Sequence, residues 1–140
     1  MIPLARNPLD GGLASGRYTA TNPSGGEAGG AAKFSFSKLE KLQPLHSVHE
    51  TVAERASARV KREVRDMKER YKSRYGPGPK INTDITTTQV AINYVIAKGA
   101  VPICDVTDSQ QAEEVLGCLG WGLTEEEVDM LDSAASLCGL

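Results

Sequence analysis

One helical pattern constrains this chain more than any other feature. Between residues 44 and 76, apolar side chains recur every three or four positions and the faces between them are charged. The apolar positions are Val48, Val52, Ala56, Val60, Val64, Met67 and Tyr71. This spacing predicts a single long helix with a narrow apolar stripe. Pro44 suits its first turn, and Pro77 and Pro79 cannot continue it.

The long helix is also basic. Residues 54–75 contain nine lysines or arginines and four acidic residues. A basic amphipathic helix of this kind docks RNA, an acidic partner or a membrane surface. The alternative is a solvated face, and opposite charges four residues apart, such as Arg62 and Asp66, favour it. Nucleic-acid and membrane partners are therefore not expected.

Composition and charge set broad limits. The formal net charge of -2 gives no overall attraction to nucleic acid or anionic membranes. Cys104, Cys118 and Cys138 lack the short spacings of zinc or redox motifs, which favours buried thiols in a reducing, intracellular compartment. No apolar run approaches the roughly 18 residues of a membrane span, and the run after Met1 is too short for a secretory signal. We expect a soluble protein.

The other predicted elements alternate between strands and helices. Short buried strands are predicted at residues 2–5 and 100–104, and further helices at 38–42, 87–98, 108–120 and from 124 onward. Asp108 and Thr124 each stand three residues before a Gln or Glu, which is the spacing of a capping box. This alternation predicts a parallel α/β sheet with helices outside it.

A glycine-rich segment, NPLDGGLASGRY at residues 7–18, follows the first strand. It approaches the P-loop pattern but lacks the lysine, the small hydroxyl residue and the following helix, so we exclude a P-loop. Two interpretations stay open: a plain connection, or a backbone turn that a phosphate approaches closely. Residues 19–33 have no periodicity and are rich in small and polar residues, which predicts a flexible loop.

Two separated blocks resemble the aldo-keto reductase family. The first resembles the family pattern S-P-L-x-x-G-x-L-T-G-[KR]-Y and matches it at Pro8, Leu9, Gly12, Leu13, Gly16, Arg17 and Tyr18. The second matches the family's last helices and strand at Gln89, Ala91, Asn93, Pro102, Ile103, Gln111, Ala112, Glu114, Gly120, Trp121, Leu123, Thr124 and Glu127. KLQPL at 41–45 resembles the plant plastid branch of the family, so the location is expected to be cytoplasm or plastid.

The resemblance covers the C-terminal part of the family only. It implies a partial TIM (β/α)8 barrel: the last two strand–helix units, a long inserted helix, and residues 86–140 as the eighth strand with its flanking helices. In a complete barrel it implies NAD(P)H-dependent reduction of an aldehyde or ketone, with the cofactor at the carboxyl ends of the strands. The family's catalytic residues precede the position of Met1, so no catalytic residue is assigned. The alternative is a non-catalytic remnant that acts as an interaction module through its basic helix.

The resemblance also assigns a dinucleotide to the turns after the two strands. The cofactor-binding residues that it implies are Pro8, Leu9, Gly12, Leu13, Gly16, Arg17, Ile103, Thr107, Gln111 and Glu114. Backbone N–H groups of residues 11–13 would approach the pyrophosphate. Asp105 adds a carboxylate near the expected 2'-phosphate, Thr107 replaces the family's cation, and Val115 replaces its adenine-binding asparagine. We therefore expect weak NADP(H) binding, leaving NAD(H) binding or none.

Two further expectations concern the rest of the chain. His46 and His49 are expected to be a partly exposed pair without a metal, since a zinc site needs more ligands. Two strands cannot close a barrel, so their apolar face is expected to lack partners and to associate or aggregate. The residues of that face are Ile2, Leu4, Val101 and Ile103.

Overall fold

The structure, a computed structural model, describes residues 2–26, 30–76 and 83–139. In chain order these residues form β1 (Leu4–Arg6), a 3-10 helix (Asp10–Ser15), α1 (Phe36–Lys41), α2 (Gln43–Tyr75), α3 (Thr87–Ala97), β2 (Val101–Ile103), α4 (Ser109–Leu116) and α5 (Glu125–Leu137). None of the helices in the described part of the chain is long and apolar enough to cross a membrane.

The two strands form a parallel pair, as the sequence predicts. Leu4 lies opposite Val101 and Arg6 lies opposite Ile103. The pairing continues past β1, where the Asn7 N–H donates to the carbonyl of Ile103 at 3.1 Å. Because the strands are parallel, their carboxyl ends lie at the same edge, and the turns that follow them meet there. The partial barrel stays a prediction.

The prediction that both strands are buried is wrong. Leu4 is 67% exposed and Val101 is 46% exposed, and Ile2 and Ile103 are also exposed. The described residues supply two strands, and no further strand or helix covers the face that carries these side chains. The apolar face therefore lies open, as expected for so small a sheet.

The predicted long helix is confirmed, with Pro44 in the first turn of α2. It ends at Tyr75, and the N–H of the C-cap residue Gly76 donates to the carbonyl of Lys72; Pro77 and Pro79 lie outside the described residues. The first half of α2 packs against α3 and α5 through the main core, formed by Val52, Ala53, Ala56, Ile85, Val90 and Leu131. Arg59 reinforces this packing with an ion pair of 3.1 Å to the buried Glu127.

The three helices after α2 begin with side-chain caps. Thr86 and Gln89 form a complete capping box at α3, and Thr124 and Glu127 form the predicted one at α5. At α4 the prediction is half right: Asp108 accepts from the Gln111 N–H, but the Gln111 side chain accepts from Thr107 instead. α4 also ends at Leu116, four residues earlier than expected.

The glycine-rich segment belongs to a second core. Leu13 and Tyr18 are buried in a cluster with Leu39, Leu42 and Cys138. Cys118 is likewise buried, as predicted, whereas Cys104 is half-buried. The segment therefore joins β1 to α1 and to the end of α5 through apolar contacts.

The beginning of the predicted flexible loop is held by hydrogen bonds. Thr19 and Asn22 exchange backbone hydrogen bonds, and Gly25 donates to the carbonyl of Asn22. Gly25 is buried against the ring of Tyr18. Residues 27–29 of the predicted loop lie outside the described residues.

The histidine pair is buried, which corrects the expectation of partial exposure. His46 is 3% and His49 is 4% exposed, and the His46 Nε2 donates to the carbonyl of Leu13 at 3.0 Å. Burial lowers the pKa of His49 to about 4, and the neighbouring His46 adds to this effect. Across residues 2–26, 30–76 and 83–139, no group of three or more His, Cys, Asp or Glu side chains forms a metal site.

Substitution of Gly25 by alanine is expected to destabilise the fold. A Cβ there would lie 2.6 Å from the Tyr18 ring, on a backbone with a φ of +68°. Strain and overpacking together predict a loss of about 2–4 kcal/mol in the free energy of unfolding, measured by urea denaturation. Gly26→Ala is the matched control, because its φ is +88° but nothing lies within 4 Å of its Cβ. Equal losses in both variants would contradict the packing argument.

Stability should fall as the pH falls through the window set by His49. The unfolded chain takes up a proton near the ordinary pKa of 6.5, whereas the folded chain does so near 4. The folded state is therefore penalised by up to about 3 kcal/mol as the pH drops from 6.5 to 4, and the penalty is absent above this range. Urea unfolding at several pH values measures the slope, and His49→Gln should flatten it. An equal dependence of stability on pH in the unaltered protein and in His49→Gln would contradict the assignment of this effect to His49.

Candidate functional site

The turns after β1 and β2 share one cleft. Its volume is about 790 Å³, within the range of small-molecule sites. One wall consists of residues from Asn7 to Tyr18 together with Lys33, and the other of residues from Cys104 to Val115. Thr87 and Thr88, at the start of α3, lie between the walls. The cleft thus occupies the carboxyl edge of the parallel pair, where α/β proteins bind ligands.

The backbone of the first wall is already hydrogen-bonded. The Gly11 N–H donates to the side chain of Asn7 at 3.1 Å, and the Gly12 N–H donates to the carbonyl of Leu9 at 3.0 Å. Both glycines have a positive φ inside the 3-10 helix, which permits this tight turn. The structure therefore differs from the expectation that these two amides face a pyrophosphate.

Contacts from α3 and the following loop hold the first wall in place. The Thr87 hydroxyl donates to the carbonyl of Ser15 at 2.5 Å. A Cβ at Gly16, where φ is +74°, would lie 3.0 Å from that hydroxyl, so the close approach requires glycine. The Arg17 Nε donates to the carbonyl of Gly25 at 2.8 Å, which ties the guanidinium to this wall.

Lys33 adds a second cation that the sequence did not predict. Its ammonium donates to the carbonyl of Gly11 at 2.5 Å and lies 5.4 Å from the centre of the Tyr18 ring. Tyr18 and Phe34 pack edge to face at 5.2 Å beneath it. An ammonium above aromatic faces is held by cation–π attraction and still has N–H groups for a ligand. No motif marks this lysine, because it follows a segment without periodicity.

The opposite wall is acidic. Asp105, Asp108 and Glu114 all line the cleft, and none of the described residues lining this wall is a lysine or arginine. Asp108 caps α4, and the Glu114 carboxylate accepts from the Thr86 hydroxyl at 3.2 Å. The Thr107 N–H donates to the Gln111 side chain at 3.2 Å, so these two predicted residues position each other. The cleft therefore has cations on one wall and carboxylates on the other.

Seven of the ten predicted cofactor residues line the cleft: Pro8, Leu9, Gly12, Arg17, Thr107, Gln111 and Glu114. The other three are not among its lining residues. The 3-10 helix turns Leu13 into the second core, Gly16 packs against Thr87, and Ile103 pairs with Arg6 in the sheet. Asn7, Ser15, Lys33, Thr87 and Thr88 line the cleft without having been predicted.

A single cysteine lies among the described residues that line the cleft. Cys104 is the thiol on its wall, and burial, followed by the charge of Asp105, raises the pKa of that thiol. A raised pKa keeps a thiol protonated and poorly nucleophilic at neutral pH.

Comparison with known proteins gives a partial match. A stretch of 50 residues, 36% of this chain, is 48% identical to chloroplastic pyridoxal reductase of Arabidopsis thaliana, an aldo-keto reductase. The stretch is 14% of that relative, so the chain spans a small part of its length. The match supports an origin among the oxidoreductases of this family. No family model and no solved structure matches the chain.

Proposed function

We propose that the cleft binds a nicotinamide dinucleotide, as the cofactor-holding part of an aldo-keto reductase that reduces an aldehyde or ketone. One observation carries the proposal: the two turns assigned to the cofactor share one cavity at the carboxyl edge of a parallel strand pair. The match to a reductase supports the same chemistry. Reduction of a carbonyl substrate belongs to the complete barrel, which supplies the catalytic residues.

The distribution of charge orients the ligand. Arg17 and Lys33 provide positive charge on the glycine-rich wall, where a diphosphate would be stabilised. Because the amides of Gly11 and Gly12 are occupied, these side chains rather than the backbone would neutralise it. The sugar and adenine would then extend toward Thr107 and Gln111 on the opposite wall.

The acidic wall favours NAD(H) over NADP(H). Asp105 would repel the 2'-phosphate of NADP(H), and no described lysine or arginine on that wall compensates the repulsion. A carboxylate at this position instead suits the free 2'-hydroxyl of NAD(H), which can donate a hydrogen bond to it. The cofactor that we propose is therefore NADH.

The relative suggests the substrate and the compartment. Its printed name gives pyridoxal, an aldehyde, and the chloroplast. For the complete enzyme we propose an aldehyde as the class of substrate and the plastid as the location.

Cofactor titration of the chain, followed by NMR or calorimetry, tests the proposal. NADH should bind more tightly than NADPH. Asp105→Asn should strengthen NADPH binding by about tenfold and weaken NADH binding by only about two- to threefold, since the amide oxygen still accepts a hydrogen bond. Glu113→Gln, an exposed carboxylate on α4 that does not line the cleft, is the matched control. Arg17→Met and Lys33→Met should each weaken the binding of both cofactors several-fold, and Arg62→Met is their control.

Two results would contradict different parts of the proposal. Failure of the folded chain to bind either cofactor at millimolar concentration would exclude a nucleotide cleft. Tighter binding of NADPH than of NADH would leave the cleft intact and overturn the role given to Asp105.

A further inference from the structure

The second half of α2 carries an apolar stripe that lies largely outside the core. The buried positions of α2 end at Val60. Beyond it the same spacing continues through Val64, Met67 and Tyr71, and the last two are 44% and 50% exposed. Exposed apolar side chains in a regular row along one helix indicate a surface that packs against another element.

A row of cations runs beside this stripe. Lys61, Arg65, Lys68 and Lys72 are spaced by three or four residues, so they share one side of the helix. With Val64, Glu69 and Thr83 they line a groove of about 460 Å³. Lys61 pairs with Asp84 at 2.6 Å and Arg65 with Asp66 at 3.4 Å. Lys68 and Lys72 have no ion-pair partner among the described residues.

The first half of the same helix shows what such a surface binds. There, α5 packs on the apolar side of α2, and its first turn contains Glu125, Glu126 and Glu127. Arg55 pairs with Glu126 at 3.0 Å and Arg59 pairs with Glu127 at 3.1 Å. Leu131 of α5 contributes to the core beneath these ion pairs. An acidic amphipathic helix thus already docks on α2 through apolar contacts flanked by charge pairs.

We propose that the second half of α2 is a docking surface for an acidic amphipathic helix of a partner protein. The stripe would receive the apolar side chains of that helix, and Lys68 and Lys72 would pair with its carboxylates. The combination of an apolar stripe with a row of cations favours an acidic amphipathic helix as the partner. RNA would use the cations but not the stripe, and three apolar side chains are few for a membrane surface. A second copy of the same face would bring like charges together.

A labelled peptide tests the surface on the complete chain. The probe is an acidic peptide long enough for about five helical turns. Its leucines recur at the spacing i, i+3, i+4, i+7, and its other residues are glutamates. Its binding is measured by fluorescence anisotropy. We expect saturable binding. The double variant Lys68→Glu/Lys72→Glu should weaken it at least about tenfold, and Met67→Asp should have a similar effect. Lys68→Arg/Lys72→Arg should retain it.

The matched control is the double variant Arg62→Glu/Arg70→Glu, an equal change of charge at exposed positions away from the basic row. It should alter the affinity by less than about threefold. All substituted positions are at least partly exposed, so helical circular dichroism should be unchanged. Polyglutamate without leucines should bind more weakly than the probe; equal binding would show that the stripe is not used.

Three outcomes overturn the proposal. Tighter binding of a single-stranded RNA, or of phosphatidylserine vesicles, with the same sensitivity to Lys68→Glu/Lys72→Glu, would assign the surface to that partner instead. An equal loss of affinity in Arg62→Glu/Arg70→Glu would show that the effect depends on net charge alone. Absence of binding to the acidic peptide at high micromolar concentration would exclude a docking surface on the second half of α2. None of these results bears on the nucleotide cleft, which is lined by the turns after β1 and β2 and shares no lining residue with this groove.

Discussion

The parallel pairing of β1 with β2 brings together parts of the chain that are far apart in sequence. Three paired positions and the hydrogen bond from Asn7 to Ile103 fix the register. A parallel register puts both strand ends at one edge, so the glycine-rich wall and the acidic wall face the same cleft. Without this pairing, Arg17 and Asp105 would belong to unrelated surfaces. The charge separation in the cleft is therefore a consequence of strand direction.

The long helix α2 organises the rest of the molecule. Its first half joins α3 and α5 in one core, and its beginning contacts the second core through His46, which donates to Leu13. The glycine-rich wall is thus connected to α2 by a buried polar contact as well as by apolar packing. The second half of the helix extends the same stripe and the same basic character into solvent. One continuous helix thus contributes to the buried core at one end and to an exposed surface at the other.

The sequence predicted the elements well because local rules determine them. The period of three to four residues located α2, and Thr124 with Glu127 located the start of α5. Burial was predicted less well, since it depends on neighbours that periodicity does not reveal. The strands are exposed because the described residues offer no further strand, and His46 is buried because α2 turns it toward Leu13 in the second core.

The residues of the cleft were likewise predicted only in part. Residues within the two turns were found from their motifs, because they are adjacent in sequence to the strand ends. Lys33 was not found, since its position depends on the Tyr18 and Phe34 rings rather than on any local pattern. Leu13 and Ile103 were placed in the site although the 3-10 helix and the sheet direct them elsewhere. Motifs identify a segment, but the backbone decides which of its side chains face a ligand.

The contact between Gly25 and Tyr18 has a consequence for how the cleft responds to a ligand. The carbonyl of Gly25 holds Arg17, and the ring that supports Gly25 also lies beneath Lys33. Lys33 contacts the Tyr18 ring directly and Arg17 is linked to it through Gly25, so displacement of this part of the loop would move both cations. We therefore expect an anion that engages both cations to stabilise residues 19–26 and to slow the exchange of their amide protons with solvent.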